Sequence, residues 1–298
     1  MAGFFVNMRH LNHRIMKNLF FVTALFISLV SCQKEKDATS GLTAKTETNV
    51  SYGSDPAQKM DIYLPAGRTS DRTPFIVMIH GGGWNGGDKS DFTAYVDTIK
   101  RRMPEYAVFN INYRLSANST NTFPTQENDV KAAVEFIASK TSEYNISNNM
   151  VLLGASAGGH LALLQGYKYT SPIKPLAIVD FFGPADLTEM YNHPASDNVP
   201  QQLVAYVIGT TPTDNPELYQ QSSPINFITS NAAPTIIFQG GNDPLVAASQ
   251  SQTLYSKLQQ AGVASQLVFY PNESHGWTGP TLSDSFDKLI VFLTEHVQ

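Results

Sequence analysis

Met150-Val151-Leu152-Leu153-Gly154-Ala155-Ser156-Ala157-Gly158-Gly159-His160-Leu161-Ala162 decides how the rest of this chain is read. Four apolar residues, 150–153, precede a Gly-x-Ser-x-Gly pentad, and a helix-like stretch, 160–166, follows it. Strand, sharp turn and helix in that order are the context in which such a pentad folds as a nucleophile elbow. A side chain two residues from the serine on either side would collide with the neighbouring strand or helix, which is why glycine stands at both ends. The Ser156 hydroxyl is then lifted clear of the sheet edge. A lone pentad of this kind occurs by chance in many chains, so its reading depends on what accompanies it.

Residues 73–79 read as a buried strand that runs into His80-Gly81-Gly82-Gly83-Trp84. This cluster resembles the HGGG-type loop of esterases, whose backbone N–H groups point at the oxygen of a reacting carbonyl. On that resemblance the amides of Gly82, Gly83 and Ala157 form the candidate oxyanion hole, where one donor is worth roughly 3 to 4 kcal/mol in the transition state. A dinucleotide fingerprint, Gly81-x-Gly83-x-x-Gly86, matches formally, but Trp84 and Asn85 put bulk where the turn must hug a pyrophosphate. A P-loop fails because Asp88 occupies the place of the lysine, ahead of Lys89-Ser90, and would repel phosphate. A plain flexible glycine turn is the remaining alternative.

A serine at its free pKa is a poor nucleophile and needs a base, which in turn needs an orienting partner. In elbow folds the order along the chain is serine, acid, histidine. His193 lies in an irregular Pro-containing stretch, and His296 falls in the last turn of a terminal helix, where an imidazole complements the helix dipole. His275 follows the strand-like residues 266–270 in the loop Pro271-Asn272-Glu273-Ser274-His275-Gly276-Trp277, and is the candidate base. For the acid, the strand-like residues 235–238 lead into Gln239-Gly240-Gly241-Asn242-Asp243-Pro244, ahead of a helix pattern over 246–260. Asp243 is expected to hold the imidazole in the tautomer that accepts the serine proton. Its alternative role is turn or helix capping, and Asp180, after the strand-like residues 176–179, is the other candidate acid.

Plainer roles are expected for several neighbours. His160 reads as a satisfied packing histidine, Asp129 as an acid at the N-terminus of an amphipathic helix over 130–137, and Arg114 as one half of an internal ion pair. Trp84 and Trp277 flank the glycine loop and the base. They could line an acyl or alcohol pocket or wall off water.

Taken together, these residues resemble the α/β-hydrolase superfamily, and within it the hormone-sensitive-lipase-like carboxylesterases and the carbohydrate-esterase group of feruloyl and acetyl esterases. The likeness covers residues 50–298. It takes in Tyr52-Gly53 and Met60-Asp61-Ile62-Tyr63-Leu64-Pro65 as the leading strand, Asn112-Tyr113-Arg114-Leu115, Phe123-Pro124, and Asn215-Pro216-Glu217-Leu218-Tyr219 with Ser223-Pro224-Ile225. Ala155 stands where the lipase-like subgroup usually has an acid and His160 where it commonly has asparagine, so the chain is more similar to the carbohydrate-esterase side. The resemblance implies a serine carboxylesterase without cofactor, with Ser156, Asp243 and His275 as its triad. It also admits an arylformamidase, a prolyl-type peptidase or a silent binding module, because fold kinship alone does not choose a substrate.

With 298 residues, 42% of them hydrophobic, the chain can bury one large core. Strand-like and helix-period segments alternate from about residue 75, which argues a mostly parallel sheet covered by helices on both faces. Residues 184–229 break the alternation and read as a small helical cap within a catalytic domain over 46–298. A formal charge of −5 without a basic stripe argues against nucleic acid. One cysteine, with no His/Cys/Asp cluster at ligand spacing, indicates neither a disulfide framework nor a metal.

That cysteine ends a different signal. Residues 19–30 form an apolar run too short to span a bilayer at about 20 residues but suited to a signal-peptide core. The run closes in Leu29-Val30-Ser31-Cys32, which resembles a bacterial lipobox, so residues 1–31 are expected to be removed and Cys32 lipidated. Met16 reads as a natural start, residues 1–15 as a mis-assigned extension, and residues 32–45 as a flexible tether. Gln33 favours the outer membrane of the bacterial envelope; without lipidation the protein would be periplasmic or secreted.

Overall fold

Three five-residue runs, Phe75–Ile79, Ala107–Ile111 and Ala177–Phe181, bury every residue, the signature of strands covered on both faces. Their side chains divide by parity as the pleat requires: Phe75, Val77 and Ile79 join one apolar cluster, Ile76 and Met78 the other. The computed structural model describes residues 41–170, 172–196 and 201–297. The signal segment, Cys32 and the tether as far as residue 40 lie outside the described residues.

Among the described residues the strands are β1 (Lys45–Ser51), β2 (Lys59–Leu64), β3 (Phe75–Ile79), β4 (Ala107–Ile111), β5 (Met150–Ala155), β6 (Ala177–Phe181), β7 (Thr235–Gly240) and β8 (Ser265–Tyr270). They form one sheet in the order β1-β2-β4-β3-β5-β6-β7-β8. β1 pairs antiparallel with β2 and β2 with β4; every later pairing is parallel. The helices are α1 (Thr93–Arg102), α2 (Thr125–Tyr144), α3 (Ala157–Lys168), α4 (Leu187–Asn192), α5 (Gln201–Ile208), α6 (Pro216–Gln221), α7 (Ala248–Gln260) and α8 (Gly279–His296). Val96 and Ile99 of α1 and Leu289 and Phe292 of α8 fall in the cluster of one sheet face. Residues of α2, α3 and α7 fall in that of the other.

This topology creates the crevice. From β3 the chain moves one way to β4, then returns to place β5 on the other side of β3. Loops leaving the C-terminal ends of β3 and β5 therefore part at a topological switch point, where open α/β sheets bind ligands. Between β6 and β7 come α4, α5, α6 and a 3₁₀ turn, Pro224–Phe227. Gln250 of α7 secures this helical insertion, accepting from the N–H groups of Ala185 (2.9 Å) and Asp186 (2.8 Å).

Three expectations need correction. The leading segment is two strands, because Tyr52–Gln58 turns back on itself, with Tyr52 N–H donating to the Gln58 carbonyl (3.1 Å). Residues 42 and 43, expected within the tether over 32–45, are bonded to the domain: the Leu42 carbonyl accepts from Gly67 N–H (2.7 Å) and that of Thr43 from the Arg68 guanidinium (2.6 Å). Asp129 lies inside α2, since that helix begins at Thr125. Fully buried, its carboxylate accepts from Arg114 Nη2 (2.6 Å), Arg114 N–H (2.8 Å) and Gln58 Nε2 (2.7 Å). Arg114 thus has the internal partner expected of it, and the macrodipole argument for Asp129 gives way to a buried ion pair.

Candidate active site

Loops at the C-terminal ends of β3, β5, β7 and β8 carry the residues singled out in the sequence. Ser156 joins β5 to α3 with φ 55° and ψ −121°, a backbone that a non-glycine residue adopts only when its surroundings force it. Its N–H donates to the Phe181 carbonyl (2.8 Å) and its own carbonyl accepts from His160 N–H (3.0 Å). Glycine is required by contact rather than flexibility here. A Cβ on Gly158 would stand 2.0 Å from the Ile79 carbonyl oxygen, and one on Gly154 2.1 Å from that of Gly158. The elbow is pressed against the end of β3 while Ser156 itself stays partly open.

Asp243 and His275 meet. His275 Nδ1 lies 2.8 Å from Asp243 Oδ2; the acid side chain is fully buried and the imidazole 15% exposed. Asp243 Oδ1 accepts from the N–H groups of Leu245 (2.8 Å) and Val246 (2.9 Å), and Oδ2 also from Gln239 Nε2 (3.3 Å). An acceptor so surrounded by donors is a carboxylate, so His275 Nδ1 carries its hydrogen and Nε2 remains the basic nitrogen. Turn-shaping and imidazole-holding, alternatives in the sequence, coexist on the two oxygens. The loops behind them are laced together, Gly241 N–H donating to Tyr270 (2.8 Å) and Asn242 N–H to Glu273 (2.9 Å).

Phe182, which the sequence reading did not single out, links this pair to the elbow. Its ring centroid lies 4.6 Å from that of His275, while the preceding carbonyl, Phe181, holds Ser156. Phe182 is itself at φ 46°, fixed by donating its N–H to Phe238 (2.8 Å). Its place at the end of β6, between β5 and β7, was the available signal.

Asp180 sits elsewhere. Fully buried in β6, it accepts from Gly183 N–H (2.9 Å) through Oδ1, while Oδ2 has no partner. A Cβ on Gly159 would stand 2.3 Å from Oδ1, so this carboxyl packs under α3, with no bond to His275 among the described residues. Burial raises its pKa to about 8, against the single amide that lowers it. His193 is exposed and pairs with Glu189 (3.0 Å); His296 ends α8 against Phe292.

In the glycine loop, Gly82 has φ 108° and Gly83 φ 58°. The Gly82 carbonyl accepts from Gly86 N–H (2.9 Å), which folds the loop on itself. Among the described residues the N–H groups of Gly82, Gly83 and Ala157 engage no backbone acceptor. Trp84, left between lining a pocket and walling off water, is buried. Its Nε1–H donates to His160 Nδ1 (3.1 Å), and His160 Nε2–H donates to the Ser222 carbonyl (2.7 Å). Trp84 donates only, which fixes the His160 tautomer, and burial drives that imidazole down to about 4. His160 thus ties the glycine loop and the elbow helix to the inserted helices. Trp277 does line an apolar cavity, with Phe182 and Gly276, and donates Nε1–H to Ser285 Oγ (2.9 Å). Among the described residues no three His, Cys, Asp or Glu side chains gather as a metal site would need.

A mostly parallel eight-stranded sheet covered on both faces, with a serine elbow at its switch point, is an α/β-hydrolase fold. The chain belongs to the BD-FAE family, whose model matches residues 60–258. It is 25% identical over 254 residues to Esterase LipC of Mycobacterium tuberculosis, covering 78% of this chain and 62% of that one. To Esterase LipQ of the same organism it is 28% identical over 218 residues, covering 69% and 51%. The chain therefore spans between half and two thirds of the length of these relatives. Among solved structures, a truncated carbohydrate esterase from gut microbiota is similar at TM-score 0.72 and 26% identity, covering 86% of this chain and 99% of that one.

The buried Asp180 generates a pH dependence. In the folded chain it holds a proton up to pH of about 8, whereas the unfolded chain releases it near the ordinary carboxylate value of about 4. The folded state binds more protons between those limits, so this group's contribution to stability falls as pH rises through that window. Asp180→Asn should flatten the decline in melting temperature between about pH 5 and 8 relative to wild type. Equal slopes for the two proteins would contradict the assignment.

Proposed function

We propose that this protein is a serine carboxylesterase acting on short-chain or carbohydrate-linked esters, acetyl and feruloyl among them, through an acyl-enzyme. The observation that carries the reading is the 2.8 Å contact between His275 Nδ1 and the buried Asp243 carboxylate, at the same sheet edge as a serine with φ 55°. The esterase names of the relatives and the carbohydrate esterase among similar structures support the substrate class.

In this reading Ser156 Oγ attacks the ester carbonyl carbon while His275 Nε2 takes its proton. The carbonyl electron pair moves onto oxygen, where the amides of Gly82, Gly83 and Ala157 and the N-terminal dipole of α3 stabilise it. Asp243 keeps the imidazole oriented and stabilises the imidazolium. As the intermediate collapses, the alcohol leaves with the proton from Nε2. Water, activated by the same nitrogen, then cleaves the acyl-enzyme and restores Ser156. A neutral Asp180 could not stabilise an imidazolium in this way. The reading extends to the cell envelope: the lipobox-like residues 29–32 would leave Cys32 acylated as the N-terminus, holding the enzyme on a membrane, with the outer one favoured.

Ser156→Ala should lower turnover of a short p-nitrophenyl ester at least about a thousandfold with its unfolding curve unchanged. Asp243→Asn should lose far more activity than Asp180→Asn. Near-wild-type hydrolysis by Ser156→Ala, or the reverse order for the two aspartates, would remove the mechanism. For the anchor, Cys32→Ser should move the protein from the membrane fraction to the soluble fraction of its native host; unchanged partitioning would end that part of the proposal.

A further inference from the structure

We infer that His160 is a positioning residue for the reaction: by fixing Trp84 it sets the spacing between the two halves of the oxyanion hole, the Gly82 and Gly83 amides on one side and the Ala157 amide on the other. The inference rests on the esterase reading. The two halves come from separate parts of the fold, the loop after β3 and the first turn of α3. A donor stabilises the oxyanion only from within hydrogen-bond reach of the place where charge develops, so loop and helix must be held in register. His160 touches both.

On the helix side, His160 lies one turn beyond the nucleophile and donates its N–H to the Ser156 carbonyl (3.0 Å). On the loop side, its Nδ1 accepts the indole hydrogen of Trp84 (3.1 Å), the two rings standing perpendicular at 5.2 Å. Its Nε2–H donates to the Ser222 carbonyl (2.7 Å), directly after α6. Bonds at both ring nitrogens stop the imidazole turning. The Phe123 ring flanks it at 6.4 Å, and the residue is fully buried. Burial also keeps it neutral down to about pH 4, so Nδ1 remains an acceptor under ordinary conditions.

Trp84 needs this support. Its φ is 60°, following Gly82 at 108° and Gly83 at 58°. The two glycines adopt such angles freely, whereas a tryptophan does so only when its surroundings hold it. Relaxation of Trp84 to negative φ would swing the preceding residue, Gly83, and turn its amide away from the oxyanion. Two bonds oppose that: the Trp84 carbonyl accepts from Ser116 N–H (2.9 Å), and the indole donates to His160. Loss of the second leaves a buried indole N–H without an acceptor, a costly state that movement of the side chain relieves.

Substitution can separate the two ring nitrogens. An asparagine carboxamide falls near the place of Nδ1 and a glutamine carboxamide near that of Nε2, so His160→Asn retains an acceptor for Trp84 while His160→Gln retains only the donor to Ser222. The measurement is kcat and KM for p-nitrophenyl acetate on wild type, both variants, Trp84→Phe, and Trp84→Phe combined with His160→Gln. His160→Gln and Trp84→Phe should each lower kcat at least about tenfold with KM within about threefold of wild type, because the lost interaction is made in the transition state. His160→Asn should keep at least about tenfold more kcat than His160→Gln. The double variant should lose no more than the worse single one, since both substitutions remove the same bond. Equal kcat in the Asn and Gln variants, multiplied losses in the double variant, losses confined to KM, or unchanged kcat in Trp84→Phe would each overturn the inference. If a His160 variant fails to fold, kcat of Trp84→Phe decides alone. A wild type inert toward this and longer p-nitrophenyl esters would instead overturn the esterase reading, and the positioning role with it.

Discussion

One residue, Ser156, is held in a left-handed conformation, and the rest of the site is arranged around keeping it there. Such a backbone costs of order 1–3 kcal/mol. That cost is met by a hydrogen bond on each side of the residue and by glycines that let α3 press its first turn against the end of β3. The same close approach sets the glycine loop beside the elbow: a Cβ on Gly81 would stand 2.9 Å from the Ala155 carbonyl oxygen. Strain at the serine and proximity of the loop amides are therefore two results of one packing arrangement. The chain Trp84–His160–Ser222 extends it to the inserted helices, since a single neutral imidazole accepts from the loop and donates to the insertion.

Two aspartates near the ends of neighbouring strands show how environment separates chemically identical groups. Asp243 is surrounded by donors, two backbone amides, the Gln239 amide and the His275 imidazole. Asp180 has one amide and an empty second oxygen; desolvation wins and the group stays protonated at neutral pH. Both are buried, so burial alone would not distinguish them. The count of donors does.

Much of this was legible in the sequence because it is local. Ser156, the glycine cluster, Asp243 and His275 each lie in a short turn directly after an apolar strand, and turn chemistry is written in adjacent residues. The alternating strand and helix periods gave the covered sheet for the same reason. What escaped depends on contacts between distant residues or on backbone angles. Trp84 is open between a pocket wall and a water barrier in the sequence, and its bond to His160, 76 positions away, is invisible there. The positive φ of Phe182 has no glycine to announce it. Asp129 looks like a helix-start acid until Arg114 and Gln58 converge on it, and the leading strand looks continuous until Tyr52 closes on Gln58.

The central claim is that Ser156 is the activated nucleophile. Labelling the protein with a fluorophosphonate and mapping the adduct by peptide mass spectrometry tests it most directly. One stoichiometric adduct on the peptide containing Ser156, abolished by prior unfolding, is the predicted result. Absence of labelling in the folded protein, or an adduct on any other residue, would contradict the account.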